Sequence, residues 1–401
     1  MKKRILIFCE FFRPSYKSGG GMWTVVNLVD RLKDRFEFGV VTKNHDGVGD
    51  LTPFRDVFTG EWNYFEGHQV FYADPKRCSK RMAADLVNEF RPDAIFFNSV
   101  FGLTTRIVLE ARRKGLIDKI PVVIAPCGEL SDQCLAIKPL KKSTFLKFAK
   151  MFRFYDGVIW KASTELEAAE VRQQFGPGVE ITVAPDIAPS SILPDFQMKK
   201  KPEKQPGKVK LVCVARVAPK KNIVYLLECL SKCRNGEYEL ELIGGIDDEG
   251  YLEECKRLIR ALPKNVNVDI VGPVRYEEVL QRLSNSHFFV LPTLNENFGY
   301  VLLEGLAAGC PLLVSENTIW SGVEDAGCGR VLRLGETDSW ISALEHCAEM
   351  DGHSFSAASV KARKYALDWL NTSEDTIKNS GVLESAVSRM DAARINVARA
   401  K

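Results

Sequence analysis

Short apolar runs alternate with segments of helical periodicity twice along this sequence, and this alternation constrains the fold more than any other feature. In the first half, runs such as Ile5–Cys9 and Ala94–Phe97 are separated by amphipathic stretches. The pattern stops at the charged segment Lys199–Lys208 and restarts at Leu211. Because continuous apolar strands separated by helices are typical of parallel sheets covered on both faces, the sequence predicts two doubly wound α/β units.

The predicted domain boundaries follow from where this pattern stops. Residues 1–195 are predicted to form a first Rossmann-like domain, and 196–208, which contain Lys, Pro and Gly, a surface linker. Residues 209–365 are predicted to form a second such domain. Strands end before residue 338, so 366–401 are expected to be a helix that packs back on the first domain. Two such domains are expected to face a central cleft, because ligands bind at the strand ends of open α/β sheets.

The composition of the chain limits the binding partners and the cellular compartment that we expect for it. The formal net charge of +3 is too small to indicate nucleic-acid binding, and we expect no nucleic-acid partner. The 11 cysteines are scattered and odd in number, which indicates a reducing compartment and a cytoplasmic location. Cys229 and Cys233 have no His or Cys pair nearby to complete a metal site. No apolar stretch approaches the roughly 20 residues of a membrane-spanning helix, so any membrane contact should be peripheral.

The most informative segment lies between Leu291 and Pro311. A predicted strand ends at Leu291, a polar loop carries Glu296, and a helix begins near Gly299 with Glu304 inside it. Glu304 interrupts an otherwise apolar stretch, so its carboxylate needs a partner or a cleft. The two glutamates are eight residues apart, at most about 12 Å at 1.5 Å per residue. That spacing suits the two ends of a nucleotide sugar.

The chemistry of a nucleotide sugar matches these residue types. Ionised carboxylates accept hydrogen bonds from two hydroxyls at once, as sugar and ribose diols require. A diphosphate needs unhindered N–H groups, which a helix N-terminus supplies. The amides expected to supply them are those of Asn297, Phe298 and Gly299.

A second segment, from Val214 to Asn222, directly follows the first predicted strand of the second domain. The first βα loop of such a domain touches phosphate. Arg216 can bind an oxyanion through its planar fork and Lys221 as a point charge.

Together these segments resemble a known family. Glu296 through Glu304 matches the E-x7-E pattern of the retaining glycosyltransferases of family 4, which have the GT-B fold. The spacing from Arg216 to Lys221 is similar to that family's phosphate-binding pair, and Gly19–Gly21 to its N-terminal glycine loop. The resemblance covers nearly the whole chain and is sharpest from 211 to 330.

The resemblance implies a role for each matching position. Arg216 and Lys221 would hold the diphosphate, Glu296 the hydroxyls of the transferred sugar, and Glu304 the ribose; Arg216, Lys221 and Glu296 would be catalytic. The remaining contacts to the nucleotide sugar would come from Gly20, Gly244, Val274, Asn297, Phe298 and Gly299. The family needs no metal and no cofactor, since the nucleotide sugar is a substrate and the cations neutralise the leaving diphosphate.

The implied activity is transfer of a sugar to a glycan or lipid-linked saccharide acceptor with retention of anomeric configuration, in polysaccharide or cell-surface glycan biosynthesis. The implied domain roles are an acceptor side in the first domain and a nucleotide-sugar side in the second. Two alternatives remain open at this point: a sugar-nucleotide epimerase on the same fold, and a catalytically silent nucleotide-binding scaffold.

The acceptor side departs from the family pattern. Many relatives carry a His near the end of a strand in the middle of the first domain, where this sequence reads Ala125–Glu129 without one. Gly128 and Glu129 are therefore the acceptor-side candidates. Lys161 also stands where relatives often have His.

Residues 138–154 combine basic side chains with phenylalanines. Such a helix could lie against an anionic membrane at its inner face or against an anionic lipid-linked acceptor. The sequence favours the alternative, a core-packed helix with a solvated basic face.

Overall fold

The computed structural model describes residues 2–47, 51–189 and 201–399. The chain divides into two compact units. The first unit comprises Met1–Ser190 together with Glu374–Lys401, and the second comprises Ser191–Ser373.

The first unit is built on an eight-stranded sheet of order β3-β4-β2-β1-β5-β6-β7-β8. All neighbouring strands are parallel except β3, which pairs antiparallel with β4 at the edge. The strands are β1 (Lys3–Phe8), β2 (Phe36–Lys43), β3 (Trp62–Phe65), β4 (His68–Ala73), β5 (Ala94–Phe97), β6 (Val122–Ile124), β7 (Val158–Ala162) and β8 (Ile181–Val183).

Helices cover both faces of this sheet. Successive residues of a strand point to opposite faces, so Leu6 and Phe8 of β1 join one core cluster while Ile5 and Ile7 join the other. The helices are α1 (Gly20–Leu32), α2 (Lys80–Phe90), α3 (Leu103–Arg113), α4 (Asp132–Ala136), α5 (Pro139–Met151) and α6 (Glu165–Phe175). The last helix of the chain also belongs to this unit, and its residue Leu383 is buried in the cluster of Ile5.

The second unit has a six-stranded sheet, parallel throughout, of order β11-β10-β9-β12-β13-β14. The strand order reverses between β9 and β12, so the loops that follow these two strands diverge there and leave room for a ligand. The strands are β9 (Lys208–Val214), β10 (Glu237–Ile243), β11 (Val266–Gly272), β12 (Phe288–Leu291), β13 (Leu312–Ser315) and β14 (Gly329–Leu332).

The helices of the second unit connect these strands and then continue to the end of the chain. They are α7 (Ile223–Lys232), α8 (Glu249–Arg260), α9 (Tyr276–Asn285), α10 (Tyr300–Ala307), α11 (Thr337–Glu349) and α12 (Gly352–Thr372), and α13 (Asp375–Arg399) follows in the first unit. The expectation of two doubly wound α/β units is confirmed. Strands β3, β8 and β14 escaped the sequence pattern because they are partly exposed strands at the sheet edges and lack a continuous apolar run.

Two expected boundaries differ from the structure. The predicted boundary after residue 365 falls inside α12, whereas the units divide after Ser373, where Asp375 begins a new helix. The apolar residues of α12 and α13 recur with similar helical spacing. In the sequence, only the break between the two helices marks where the second unit ends and the chain returns to the first.

The predicted surface linker, 196–208, is also different where it is described. Residues 196–200 lie outside the described part of the chain, and Lys208 already begins β9. The Lys201 ammonium donates hydrogen bonds to the carbonyls of Leu283 and Ser286, at 2.6 and 2.8 Å. Lys204 is 3% exposed and donates to the carbonyls at the end of α11. Lysines that bind helix C-terminal carbonyls are buried, although their sequence context suggested solvent.

Candidate functional site

The candidate site of the second unit is formed by the loops after β9 and β12. The Leu294 amide donates to the Lys220 carbonyl at 2.9 Å, and the Thr293 hydroxyl donates to the same carbonyl at 3.2 Å. The Glu296 amide donates to the Asn317 carbonyl at 3.0 Å. The two bonds to Lys220 fix the β12 loop against the β9 loop where the strand order reverses, and the bond to Asn317 fixes it against the loop that follows β13.

Lys221 and Glu296 meet directly in this arrangement. The Lys221 ammonium and the Glu296 carboxylate form a salt bridge, and the two side chains are only 14% and 16% exposed. Burial alone would raise the pKa of Glu296, but the nearby Lys221 ammonium holds that pKa below its ordinary value. Two residues expected to bind different parts of a nucleotide sugar are thus paired with each other in this structure.

Arg216 also has an acidic partner. Its guanidinium Nη1 lies 2.6 Å from the Asp247 carboxylate Oδ2 in the loop that follows β10. This pair is more exposed than the Lys221–Glu296 pair, at 46% for Arg216 and 32% for Asp247. Asp247 could not be connected with Arg216 from the sequence, because the contact depends on β9 and β10 being neighbours.

Glu304 lies on α10 and is 3% exposed. Burial raises its pKa to about 7, and a hydrogen bond with the Tyr276 hydroxyl only partly opposes this shift. Tyr276 begins α9, directly after the turn that contains Val274. Burial among apolar residues therefore disfavours the charged form of Glu304. The apolar stretch around Glu304 predicted a partner or a cleft, and the structure identifies Tyr276 as a partner.

The start of α10 is shaped by Gly299. Its φ of 78° lies in the left-handed region, and a Cβ there would come within 2.9 Å of the Leu302 side chain and 3.0 Å of that of Glu296. The turn lets the chain enter the helix while the amides of Asn297, Phe298 and Gly299 precede its first turn. The first amides of a helix have no partner within it, so this end suits an anion.

An aromatic cluster supports this turn. The Trp320 indole N–H donates to the Phe298 carbonyl at 2.7 Å, and the Phe298 ring packs against the rings of Tyr300, Trp320 and Trp369. These residues resemble ordinary core aromatics in the sequence, so pattern alone could not connect them with the loop.

Gly244 occupies a position that no other residue could take without displacing backbone. Its φ is 147°, and a Cβ there would lie 2.3 Å from the Ala215 carbonyl oxygen. The close approach brings the β10 loop against the β9 loop that carries Arg216. Gly244 thus shapes the site whether or not it also touches a ligand.

In the first unit, the predicted residues occupy the carboxyl ends of central strands. Gly20 is the first residue of α1, and the Asn98 side-chain amide donates to the neighbouring Gly21 carbonyl at 2.6 Å. Glu129 accepts hydrogen bonds from the Ser99 hydroxyl at 2.8 Å and from the amides of Val100 and Phe101 at 2.7 and 3.2 Å. Both carboxylate oxygens of Glu129 are thus used to hold the loop that begins α3.

Gly128 is held by a residue that the sequence did not single out. Its amide donates at 2.6 Å to the carboxylate of Glu167, whose other oxygen accepts from the Ser163 amide at 2.6 Å. Glu167 is 1% exposed, so this carboxylate is a buried connection between two loops.

Lys161 belongs to the same buried polar cluster. Its ammonium forms a salt bridge with Asp186, and the two side chains are 1% and 3% exposed. Asp186 also accepts from the Ser163 hydroxyl at 2.9 Å and from the Thr24 hydroxyl of α1 at 3.1 Å. The sequence showed only that Lys161 stands where relatives often have His, and it did not identify Asp186 as its partner.

Comparison with known proteins covers the part of the chain that forms this site. A family model described as "Glycosyl transferases group 1" matches residues 195–339, the part of the chain that contains Arg216, Lys221, Glu296 and Glu304. The phosphatidylinositol N-acetylglucosaminyltransferase GPI3 subunit of Saccharomyces cerevisiae is 26% identical over 164 residues, which are 40% of this chain and 35% of that protein. The D-inositol 3-phosphate glycosyltransferase of Rhodococcus erythropolis is 24% identical over 147 residues, which are 35% of this chain and 33% of that protein. The match thus spans about a third of the length of these curated relatives.

Solved structures extend the likeness to the whole fold. Anabaena HepE in complex with UDP-glucose has a TM-score of 0.68 at 17% identity, covering 96% of this chain and 99% of that chain. WaaG, a glycosyltransferase involved in lipopolysaccharide biosynthesis, has a TM-score of 0.63 at 15% identity, with the same coverage of 96% and 99%. Residues 195–339 thus match the group 1 glycosyltransferase model, and the fold of the chain is that of the GT-B glycosyltransferases. The resemblance inferred from the sequence is confirmed at this level.

Proposed function

We propose that this protein transfers a sugar from a nucleotide sugar to a glycan or lipid-linked saccharide acceptor, with retention of anomeric configuration as in family 4. We place it in polysaccharide or cell-surface glycan biosynthesis in the cytoplasm. One observation carries the proposal: Arg216, Lys221 and Glu296 lie on the two loops at the strand-order reversal of the second unit, just before the helix that buries Glu304. Lys221 is paired there with Glu296, and Arg216 with Asp247. UDP-glucose bound to the structural neighbour HepE is consistent with a nucleotide-sugar ligand.

The contacts support a sequence of steps in which Lys221 and Glu296 give up their salt bridge and each binds part of the nucleotide sugar. The diphosphate binds Arg216 and Lys221 and the amides before α10, and this draws Lys221 away from Glu296. The released Glu296 carboxylate then accepts hydrogen bonds from the sugar, while Glu304 accepts those of the ribose. As the bond to the diphosphate breaks, Arg216 and Lys221 stabilise the growing negative charge, so no metal ion is needed.

A labelled substrate tests this proposal. The protein is incubated with a panel of isotopically labelled nucleotide sugars and candidate saccharide acceptors, and the products are analysed by NMR. A product with the anomeric configuration of the nucleotide sugar supports the proposal. A changed sugar still attached to its nucleotide would indicate an epimerase, and binding without turnover would indicate a silent scaffold.

Metal independence is tested in the same assay. Because Arg216 and Lys221 supply the positive charge, activity should persist in excess chelator. Activity that is lost in chelator and restored by Mg²⁺ or Mn²⁺ would contradict this part of the proposal.

We also propose that α5 contacts an anionic membrane surface. Leu146 and Ala149 of this helix are buried and Phe145 packs against the core, so the core-packed alternative accounts for one face of the helix and leaves the other apolar side chains unexplained. Leu140, Phe148 and Met151 are 84%, 51% and 62% exposed. They are spaced by eight and three residues, which places them on one helical face, and lysines at 141 and 147 flank that face. Among the residues that the structure describes, no helix has the length and apolar character to cross a bilayer.

Vesicle sedimentation tests the membrane contact. A variant with Leu140→Ser, Phe148→Ser and Met151→Ser should lose binding to vesicles that contain phosphatidylglycerol. Ile377→Ser, which removes an apolar side chain that is 70% exposed on α13, is the matched control and should bind as the wild type does. Equal binding of the triple variant, or equal binding of the wild type to purely zwitterionic vesicles, would contradict the contact.

A further inference from the structure

The loops after β9 and β10 are fastened to each other close to Arg216. The Val217 amide donates to the Gly245 carbonyl at 2.8 Å, and the Asp247 amide donates to the Val217 carbonyl at 3.2 Å. Residues 217 and 246 form an isolated parallel bridge. The backbone alone therefore keeps Asp247 beside Arg216, so their salt bridge does not have to be strong to persist.

The pair is well placed to change partners. Its side chains are 46% and 32% exposed, and a salt bridge with that much solvent contributes little to stability. A guanidinium has five N–H donors in a planar fork and binds phosphate oxygens in the same bidentate way as a carboxylate. A diphosphate at the β9 loop would thus compete with Asp247 for the same donors.

We infer that Asp247 is a carboxylate that competes with the diphosphate for Arg216. Before a nucleotide binds, Asp247 holds the guanidinium in position. When a nucleoside diphosphate binds, Asp247 loses this partner and its negative charge lies close to the charged phosphates. Asp247 therefore weakens the binding of the product diphosphate and speeds its release. This inference rests on the proposed function, because it assumes that a nucleotide diphosphate occupies the site.

The inference predicts that the nucleoside diphosphate binds more tightly when the charge of Asp247 is removed. Asp247→Asn keeps the size of the side chain and removes its charge, so the variant should bind the nucleoside diphosphate about three- to tenfold more tightly. The gain should shrink in high salt, which screens exposed charges. It should also shrink in an Arg216→Ala background, since the two effects share one partner.

Titration calorimetry with the diphosphates of uridine, guanosine and adenosine tests this inference. Glu249→Gln is the matched control, because it removes the same charge from an exposed position two residues away, and its affinity should stay within twofold of the wild type. Product release should also be faster in the wild type than in Asp247→Asn. Unchanged or weaker binding by Asp247→Asn, when the wild type binds, would overturn the inference and leave the proposed function intact. A wild type that binds none of the three diphosphates would overturn both.

Discussion

The two units bury carboxylates near the carboxyl ends of their strands, but they use them differently. In the first unit, Glu167 accepts one backbone amide on each oxygen, and Glu129 accepts two backbone amides on Oε2 and the Ser99 hydroxyl on Oε1. In the second unit, Glu296 is paired with the Lys221 ammonium, and Glu304 has a pKa of about 7 because burial outweighs its hydrogen bond with Tyr276.

This difference separates structural carboxylates from those that a ligand can use. A carboxylate that holds two backbone amides fixes two loops, and a ligand could take it over only if those loops moved. A carboxylate paired with a flexible lysine, or buried with few partners, can gain a hydroxyl or lose its cation without a change of fold. We therefore propose that nucleotide-sugar chemistry belongs to the second unit and that the acidic cluster of the first unit fixes loops.

The strongest test of this comparison is Lys221→Ala. If Lys221 stabilises the leaving diphosphate, kcat should fall by about 10²–10³, as for the loss of an oxyanion-stabilising group. Steady-state kinetics at two ionic strengths measures the effect, with Lys220→Ala as a control that removes the same charge one residue away and should change kcat less than tenfold. A rise in KM with kcat unchanged would mean that Lys221 only attracts the substrate.

The next test concerns Glu167 in the first unit. Glu167→Ala leaves the buried amides of Gly128 and Ser163 without partners, so the free energy of unfolding should fall by about 2–4 kcal/mol. Urea unfolding measures this loss, and Glu165→Ala, on the exposed first turn of the same helix, should change stability by less than about 0.5 kcal/mol. Nucleotide affinity should be the same in both variants. A large loss of affinity at unchanged stability would place Glu167 in a ligand site. The two units would then not differ in how they use their buried carboxylates.

Much of the fold could be predicted from the sequence because it rests on local patterns. Apolar runs gave the central strands, and the polar loops after β9 and β12 placed Arg216, Lys221 and Glu296 at strand ends. Their pairings could not be predicted. The contact of Arg216 with Asp247 depends on strand order, and that of Lys161 with Asp186 joins residues on different loops.

The sequence also misled us about the burial of side chains that occur both in solvent and in protein cores. Lysine usually indicates solvent, yet Lys204 is buried on helix C-terminal carbonyls. Phenylalanine and methionine usually indicate a core, yet Phe148 and Met151 are exposed on α5. A sequence pattern shows which residue types are present. It does not show which side of a helix or strand is covered by the rest of the chain.

The pH dependence of stability should reveal Glu304. Its pKa is about 7 in the folded protein, against an ordinary value of 4.5, so the folded state keeps a proton that the unfolded state releases between these values. The stabilising contribution of this group is therefore complete below about pH 4.5 and is lost as the pH rises to 7. Above pH 7 the buried charge should cost on the order of 1–3 kcal/mol.

The most direct test of the account is therefore Glu304→Gln at pH 8, with stability and nucleotide affinity measured on the same protein. Since the variant removes the buried charge, we expect its free energy of unfolding to rise by roughly 1–3 kcal/mol. Because ribose hydroxyls lose a charged acceptor, we expect nucleoside diphosphate to bind about ten- to hundredfold more weakly. A gain in stability together with a loss of binding would show that the Glu304 carboxylate serves ligand binding and not the stability of the fold. Lower stability with unchanged affinity would make Glu304 a structural residue like Glu167 and would contradict the account.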